Sequence, residues 1–359
     1  MTQHDERHAA IPPTVEQQIE SLLSEPRAAK TSLGQALADR DRDAAFDRCM
    51  VGGDSCKRTA IRAHCIPETA LELIADGSRR VIAAHSAPPR TAVQWLHESP
   101  LKEMSISSFN AAKWACRHHD DTFGPLDTKR LEDFSDHSLF LLIYKITAYL
   151  THRALHIGER LAMPMLDPAS DTPRQLKHGT RAYLKETARR LSFAAMRVWW
   201  VKLALDKMLH SGAYDRLDYR ASAWRARPAM AAVGMTFVDG PGTLNAWYGE
   251  DSLIPVWVAL LPQEHGHLIV TASPRGTTGH THGIHQGVSR ERGSFVSGDD
   301  AWTAVICDKV LANSSDLAIS EERFARLSAR ERETLQTFLA QRSLYGARRP
   351  RLPNLLSAL

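Results

Sequence analysis

Apolar residues recur at steps of three and four through the middle of the chain, the spacing expected for one face of an α-helix. The clearest run consists of Leu139, Leu142, Ile143, Ile146, Tyr149 and Leu150. A second long helix is expected over about residues 174–210, after a break that contains Pro164 and Pro173. A third should begin at Ser328, because Glu331 three residues later completes a capping box.

Short apolar runs separated by Gly, Pro and Asp follow the helical region and indicate β-strands. They cover residues 233–238, 246–248, 254–261, 268–272 and 302–307. The Gly-, Ser- and His-rich stretch 276–298 is expected to be a long loop. Before the helical region, residues 59–66 predict a strand, Pro67 begins a short helix, and a helix capped at 107–108 includes Cys116.

Together the patterns predict an α+β protein with four segments. These are a flexible arm at 1–40, a cysteine-containing module at 41–130, a helical region at 131–225, and an antiparallel β-rich region with a C-terminal helix at 226–359. A chain of 359 residues is long for one hydrophobic core, which agrees with two or three packed units.

The composition is that of a soluble globular protein, with 43% hydrophobic and 24% charged residues. No apolar run reaches the roughly 18 residues typical of a membrane span, and the N-terminus has no signal-peptide pattern, so we expect a cytoplasmic protein. The net charge of +4 permits a nucleic-acid partner without requiring one. No Walker, Rossmann or Gly-x-Ser-x-Gly motif is present, which argues against an NTPase, a dehydrogenase and an α/β-hydrolase.

Four of the five cysteines lie between residues 49 and 116, and the last of them precedes His119 by three positions. That spacing places two ligands on one turn of a helix. Cys49, Cys56, Cys116 and His119 therefore predict a Cys₃His site, a closed shell that holds a structural zinc ion.

Two substitutions within this ligand set stay open. His118 could replace His119. Six residues lie between Cys49 and Cys56, against the usual two to four, so Cys65 could replace Cys56. The alternative is that the cysteines are ordinary buried, reduced thiols.

Two motifs resemble the HNH, or ββα-metal, nucleases. The first is Ala-His-Cys-Ile-Pro at 63–67, and the second is Cys-Arg-His-His-Asp-Asp-Thr-Phe at 116–123. The same pair also resembles an uncharacterised bacterial family with Ala-His-x-Ile-Pro and Cys-x-x-His-Asp motifs. The resemblance implies a zinc-stabilised ββα or treble-clef-like module within 41–130.

The HNH resemblance also implies roles for three residues. His64 would be the general base that activates water. Asp120 would be a ligand of a catalytic Mg²⁺ or Mn²⁺ ion, with Asp121 or His118 as the alternatives. Asn110 would be the residue that orients the catalytic histidine. The implied function is metal-dependent cleavage of DNA or RNA, and a role in bacterial anti-phage defence is an analogy from architecture. The alternative is a non-catalytic zinc module that binds nucleic acid or a protein partner, with His64 hydrogen-bonded in the core.

Basic residues at steps of three and four form a stripe on the predicted helix after 174. They are Arg174, Lys177, Arg181, Lys185 and Arg189. A face of one sign indicates electrostatic binding to a nucleic-acid backbone, whereas the alternative is pairing with acids elsewhere in the fold.

Three histidines, His280, His282 and His285, lie within six residues of the Gly-rich stretch. A transition-metal site is possible on composition alone. We favour an ordinary flexible loop, because the sequence places no carboxylate close by. The β-rich C-terminal region is expected to dock or sense a partner.

Overall fold

The computed structural model describes residues 48–52, 56–84, 101–128, 131, 133–166, 178–239, 253–341 and 352–356. The chain divides into two compact units. The larger unit is drawn from residues 46–87, 99–156 and 194–359, and it includes both β-sheets. The described part of the smaller unit consists of helical residues within 157–193.

Ten strands are present in the described residues. They are β1 Ile61–His64, β2 Arg80–Ala84, β3 Leu101–Ser105, β4 Ala111–Ala115, β5 Leu217–Arg225, β6 Met230–Asp239, β7 Leu253–Gln263, β8 Gly266–Pro274, β9 Ser294–Phe295 and β10 Asp316–Ile319. Strands β1 and β4 form a two-stranded antiparallel sheet, and the other eight form one sheet in the order β3-β2-β10-β6-β7-β8-β5-β9. All pairings in the large sheet are antiparallel except the short β5–β9 contact.

The described α-helices include two that are much longer than the rest. In chain order they are α1 Glu68–Glu72, α2 Arg117–Thr122, α3 Gly124–Thr128, α4 Asp136–Leu166, α5 His178–Ser211, α6 Thr278–His285, α7 Asp300–Asn313, α8 Glu321–Ala325 and α9 Ala329–Gln341. The predicted capping box is confirmed at the start of α9, since the Glu331 amide donates to the Ser328 hydroxyl at 3.3 Å and the Ser328 amide donates to the Glu331 carboxylate at 2.9 Å. None of these helices combines the length and apolar character that crossing a lipid bilayer requires.

The large sheet is buried on both faces, which explains why its central strands are almost continuously apolar. Along β6, Ala231 and Val233 face a core that includes α4 and α5, whereas Met230 and Ala232 face a second core with α7 and α9. This alternation is the two-residue period of a strand. Trp257 on β7 is fully buried, and its indole nitrogen donates to Thr147 Oγ1 on α4 at 2.8 Å.

The cysteine-rich segment belongs to the same core as α4. Cys49, Cys65, Trp114 and Phe123 are packed into the apolar cluster that also contains the buried face of α4. Strands β2 and β3 of this segment lie in the eight-stranded sheet, where β2 pairs antiparallel with β10 on one side and with β3 on the other. The segment 41–130 therefore shares both its sheet and its core with residues from the rest of the chain.

Two of the predicted elements near the cysteines and in the C-terminal half are wrong. The helix expected to begin at 107–108 is a turn followed by strand β4, whose pairing with β1 satisfies its backbone. The strand expected at 302–307 lies in helix α7, which begins where the Asp299 side chain accepts a hydrogen bond from the Trp302 amide at 2.8 Å.

Two further regions contain an element that differs from the predicted one. The region 131–225 was expected to be helical, but Leu217–Arg225 forms strand β5. The stretch 276–298 was expected to be a loop, but it contains helix α6. The Lys309 ammonium group donates to the carbonyls of Gly283 in this helix and of Gln286 directly after it. The arm at 1–40 and the strand expected at 246–248 lie outside the described residues.

Candidate metal centre

The centre is built from one turn and one strand-to-helix junction. Cys49 follows a bridge between Arg48 and Thr59, which closes the turn that includes Cys56. Strand β4 runs into Cys116, which is extended (φ −81°, ψ 162°) and caps α2. His119 then lies in the first turn of α2, so the predicted three-residue spacing is realised on a helix.

The side chains of Cys49, Cys56, Cys116 and His119 converge, and their ligand atoms all lie within 4.8 Å of one another. The His119 Nδ1 atom lies 3.2 Å from Cys49 Sγ and 3.5 Å from Cys116 Sγ. The Cys56 and Cys116 sulfur atoms are 3.9 Å apart, far beyond a disulfide bond. This group of four can hold a metal ion.

The two alternative ligands are not in this group. Cys65 is completely buried, and burial raises the pKa of its thiol well above the ordinary range. His118 is exposed, with its ring centroid 5.3 Å from that of His119. Within the described residues no other set of three or more His, Cys, Asp or Glu side chains lies close enough to hold an ion.

The pKa shifts at the centre differ in direction from residue to residue. Burial raises the pKa of Cys49 to about 12. Burial also acts to raise the pKa of Cys116, but the amides of His119 and His118 at the start of α2 and the neighbouring thiols outweigh it, so the pKa is lowered. Burial, aided by nearby positive charges, lowers the pKa of His119, which favours the neutral imidazole that binds metals.

A partly buried chain of hydrogen bonds connects the cysteine turn to the long helices. The Gly52 amide donates to the Tyr144 hydroxyl at 3.0 Å, and that hydroxyl donates to Asp206 Oδ1 at 2.5 Å. The Lys202 ammonium group donates to the other oxygen of Asp206 at 2.7 Å. The positive charge of Lys202 also acts on His119, so this chain borders the centre as well as supporting the turn.

His64 lies at the end of β1, opposite Ala111 of β4. Its Nε2 atom is 3.1 Å from the carbonyl oxygen of Ile106. Because a carbonyl can only accept, Nε2 has the hydrogen in the neutral ring, and Nδ1 is the basic nitrogen. In the neutral ring, Nδ1 is thus the nitrogen left without a hydrogen.

Asp120 lies in the first turn of α2 and is half-buried. Burial is the main cause that raises the pKa of its carboxyl, while the charges of Lys145 and His64 oppose the rise. His64 and Asp120 are therefore close enough to interact electrostatically. Lys145, whose side chain is 1% exposed, forms an ion pair with Asp127 and lies 5.9 Å from the centre of the Phe123 ring.

Asn110 is completely buried and has a left-handed backbone (φ 56°), which asparagine tolerates better than most residues. Its side-chain oxygen accepts from the Ile66 amide at 2.5 Å, and its nitrogen donates to Asp316. Asn110 therefore holds the backbone at Ile66, two residues after His64. The hydrogen bond of the His64 ring is to the Ile106 carbonyl rather than to the Asn110 side chain.

The other predicted site residues are dispersed. Arg181 and Lys185 are half-buried and Arg189 is exposed on α5, while Arg174 and Lys177 lie outside the described residues.

On α6, His280 and His282 are exposed. His285 is buried, with Nδ1 at 2.8 Å from Thr271 Oγ1 and Nε2 at 3.0 Å from Ser273 Oγ. The three histidines do not form a common site.

The sequence patterns did not single out the residues around the centre that come from the long helices. They are Tyr144, Lys145, Lys202 and Asp206, which lie far from the cysteine motifs in sequence. The one sequence signal that could have indicated them is a charged residue inside an apolar helical run.

Comparison with protein-family models, curated proteins and solved structures gave no match for this chain.

Proposed function

We propose that Cys49, Cys56, Cys116 and His119 bind one Zn²⁺ ion with a structural role. The observation that supports this is the mutual distance of their ligand atoms. A tetrahedral zinc with the usual bond lengths places sulfur atoms about 3.8 Å apart and sulfur and nitrogen about 3.6 Å apart. Three of the six separations, at 3.9, 3.5 and 3.2 Å, lie close to these values, and all six are within 4.8 Å.

Four protein ligands close the coordination shell, so this ion would stabilise the fold rather than bind substrate. The order of β1, β4 and α2, with two ligands in a turn and two at the start of α2, favours the treble-clef or ββα-like module that the motifs resemble. The residues between β1 and β4, which include α1, β2 and β3, would then be an insertion in that module.

Beside this ion, we propose that the chain hydrolyses phosphodiester bonds of DNA or RNA. His64 would take the proton from the attacking water at Nδ1, since its other nitrogen is occupied by the Ile106 carbonyl. Asp120 would help to hold a Mg²⁺ or Mn²⁺ ion at the scissile phosphate, where the ion neutralises the developing charge. The assignment is supported by the position of Asp120 on α2, where the charge of His64 acts on its carboxyl.

Nuclease assays with Mg²⁺ or Mn²⁺ test the proposal on the wild type, His64→Ala, Asp120→Ala and His265→Ala. His265 is exposed in the turn between β7 and β8 and is a control for the loss of an imidazole. Loss of the general base should lower the rate by about 10²–10⁴-fold. His265→Ala should cleave like the wild type, and zinc content should be unchanged in all four proteins.

Two outcomes would contradict the catalytic proposal. If the wild type does not cleave nucleic acid, or if His64→Ala cleaves normally, His64 is a structural residue. Salt-dependent binding without cleavage would favour a non-catalytic zinc module that binds nucleic acid. In that case, reversing the charges of Lys185 and Arg189 should reduce the salt dependence.

A further inference from the structure

A second polar cluster lies on the large sheet, among β5, β8 and α6. Along β5, Leu217, Tyr219 and Ala221 point into the apolar core beneath α4. The alternate residues Asp218, Arg220 and Ser222 therefore point to the opposite face, because side chains alternate along a strand. This cluster is distinct from the cysteine-rich centre, and its interpretation does not depend on the proposed function.

Arg220 is the unusual member of the cluster. Its side chain is buried, with 8% of the residue exposed, and its Nε atom has no hydrogen-bond partner. No carboxylate of the described residues forms an ion pair with it. The Nε atom is therefore buried without a hydrogen bond, and no ion pair neutralises the guanidinium, which leaves it able to bind an anionic partner.

The charges around Arg220 do not compensate it. Burial is the main cause that lowers its pKa, Arg290 lowers it further, and only Asp218 opposes the shift. The Asp218 carboxylate is itself engaged by the Thr278 hydroxyl at 3.1 Å. Two guanidinium groups against one carboxylate leave a net positive charge.

The neighbouring wall of the cluster is rich in hydroxyl groups. Arg220 is opposite Thr271 in the β5–β8 pairing, so their side chains share one face of the sheet. His285 bridges the hydroxyls of Thr271 and Ser273, and its charge interaction with Arg220 places it within reach of the guanidinium. Guanidinium and hydroxyl donors together are the groups that bind tetrahedral oxyanions.

We infer that Arg220 is the anchor of an anion site that takes a phosphate group, with Arg290 as a second cation at its rim. The guanidinium fork of arginine matches two oxygens of a phosphate, and the exposed part of Arg220 gives the ligand access. Arg290 is exposed and can approach the same ligand from solvent. The ligand is an inorganic phosphate ion or the phosphate group of a small molecule.

Thermal unfolding at low ionic strength tests this site with sodium phosphate as the ligand. Sodium chloride and sodium acetate at matched ionic strength are the comparison salts. The variants are Arg220→Met, which removes the charge at similar volume, and Arg225→Met, which removes an exposed guanidinium from the same strand. Ligand that binds the folded state should raise the melting temperature in a saturable way.

The wild type and Arg225→Met should show this saturable rise with phosphate, and Arg220→Met should not. Without phosphate, Arg220→Met should melt no lower than the wild type, because it removes a partly buried charge that has no ion-pair partner. Arg220→Lys, which keeps the charge but not the fork, should show a smaller rise. An inorganic phosphate titration and a titration with a phosphate monoester then distinguish the two sources of the group by their midpoints.

Three results would overturn the inference. One is a wild-type melting temperature that does not depend on phosphate. Another is a full phosphate effect in Arg220→Met, or in Arg220→Lys if the methionine variant does not fold. The third is an equal rise with acetate, which would show that the site does not prefer a phosphate group.

Discussion

The side-chain amide of Asn110 donates a 2.6 Å hydrogen bond to Asp316 Oδ2, although 206 residues separate the two in sequence. Asp316 is completely buried at the start of β10. The Tyr149 hydroxyl donates to the same oxygen at 2.6 Å, and Arg153 forms an ion pair with the other oxygen. This carboxylate therefore joins the turn before β4, helix α4 and the large sheet.

Replacing Asn110 by alanine should destabilise the fold. The buried Asp316 carboxylate would lose a donor, which costs about 1–3 kcal/mol, and alanine in the left-handed region costs about 1–2 kcal/mol more. Urea unfolding measures the sum. Asn110→Gly is the matched control, because it removes the amide without the backbone strain and should recover part of the loss. An Asn110→Ala variant as stable as the wild type would show that this contact contributes nothing.

The Tyr144 hydroxyl is predicted to tune the metal centre through the turn at Gly52. Removing such a supporting contact typically lowers metal affinity by about 10–100-fold, and we expect this for Tyr144→Phe in a chelator competition. Tyr149→Phe is a matched control, since it too deletes a buried hydroxyl that donates to a carboxylate, that of Asp316. Its metal affinity should equal that of the wild type. Equal affinity losses in both variants would mean that the effect is general destabilisation.

Much of the fold follows from local patterns, and the departures have physical causes. The apolar period along α4 and the capping box at Ser328 depend on neighbours in sequence, and both were predicted correctly. Strand β5 was missed within a region expected to be helical, although Leu217, Tyr219 and Ala221 alternate with polar residues. The apolar run at 302–307 resembles a strand, but the cap at Asp299 begins a helix there.

For the candidate site, the sequence predicted the ligand set but not the residues that support it. The ligand set Cys49, Cys56, Cys116 and His119 follows from residue types and spacing, and the structure brings these four together. The supporting contacts from Tyr144 and Asn110 could not be predicted, because they join residues 92 and 206 positions apart. Only the packed core determines which distant residues meet.

His267 is predicted to make stability depend on pH. Burial lowers its pKa to about 3, its Nε2 accepts from the Ala229 amide at 3.1 Å, and its ring stacks on Trp224. The pKa in the unfolded chain is about 6.5, so acid favours the unfolded state. The contribution is fully present above pH 6.5 and is lost progressively as the pH falls toward 3.

Urea unfolding at pH 7, 6 and 5 checks this prediction on the wild type, His267→Gln and His265→Gln. The free energy of unfolding of the wild type should fall more steeply with acid than that of His267→Gln, by up to about 1.4 kcal/mol per pH unit. His265 is exposed, so His265→Gln should follow the wild type. Parallel slopes for the wild type and His267→Gln would show that His267 is not held neutral.

The central claim is the closed zinc shell, and X-ray absorption spectroscopy of the purified protein at the zinc edge tests it most directly. Metal analysis of the same sample should give one zinc per chain. The spectrum should show three sulfur ligands at about 2.3 Å and one nitrogen ligand at about 2.0–2.1 Å, and Cys116→Ser should lose the metal. Protein purified without zinc, or zinc surrounded only by nitrogen and oxygen, would contradict the assignment of Cys49, Cys56, Cys116 and His119.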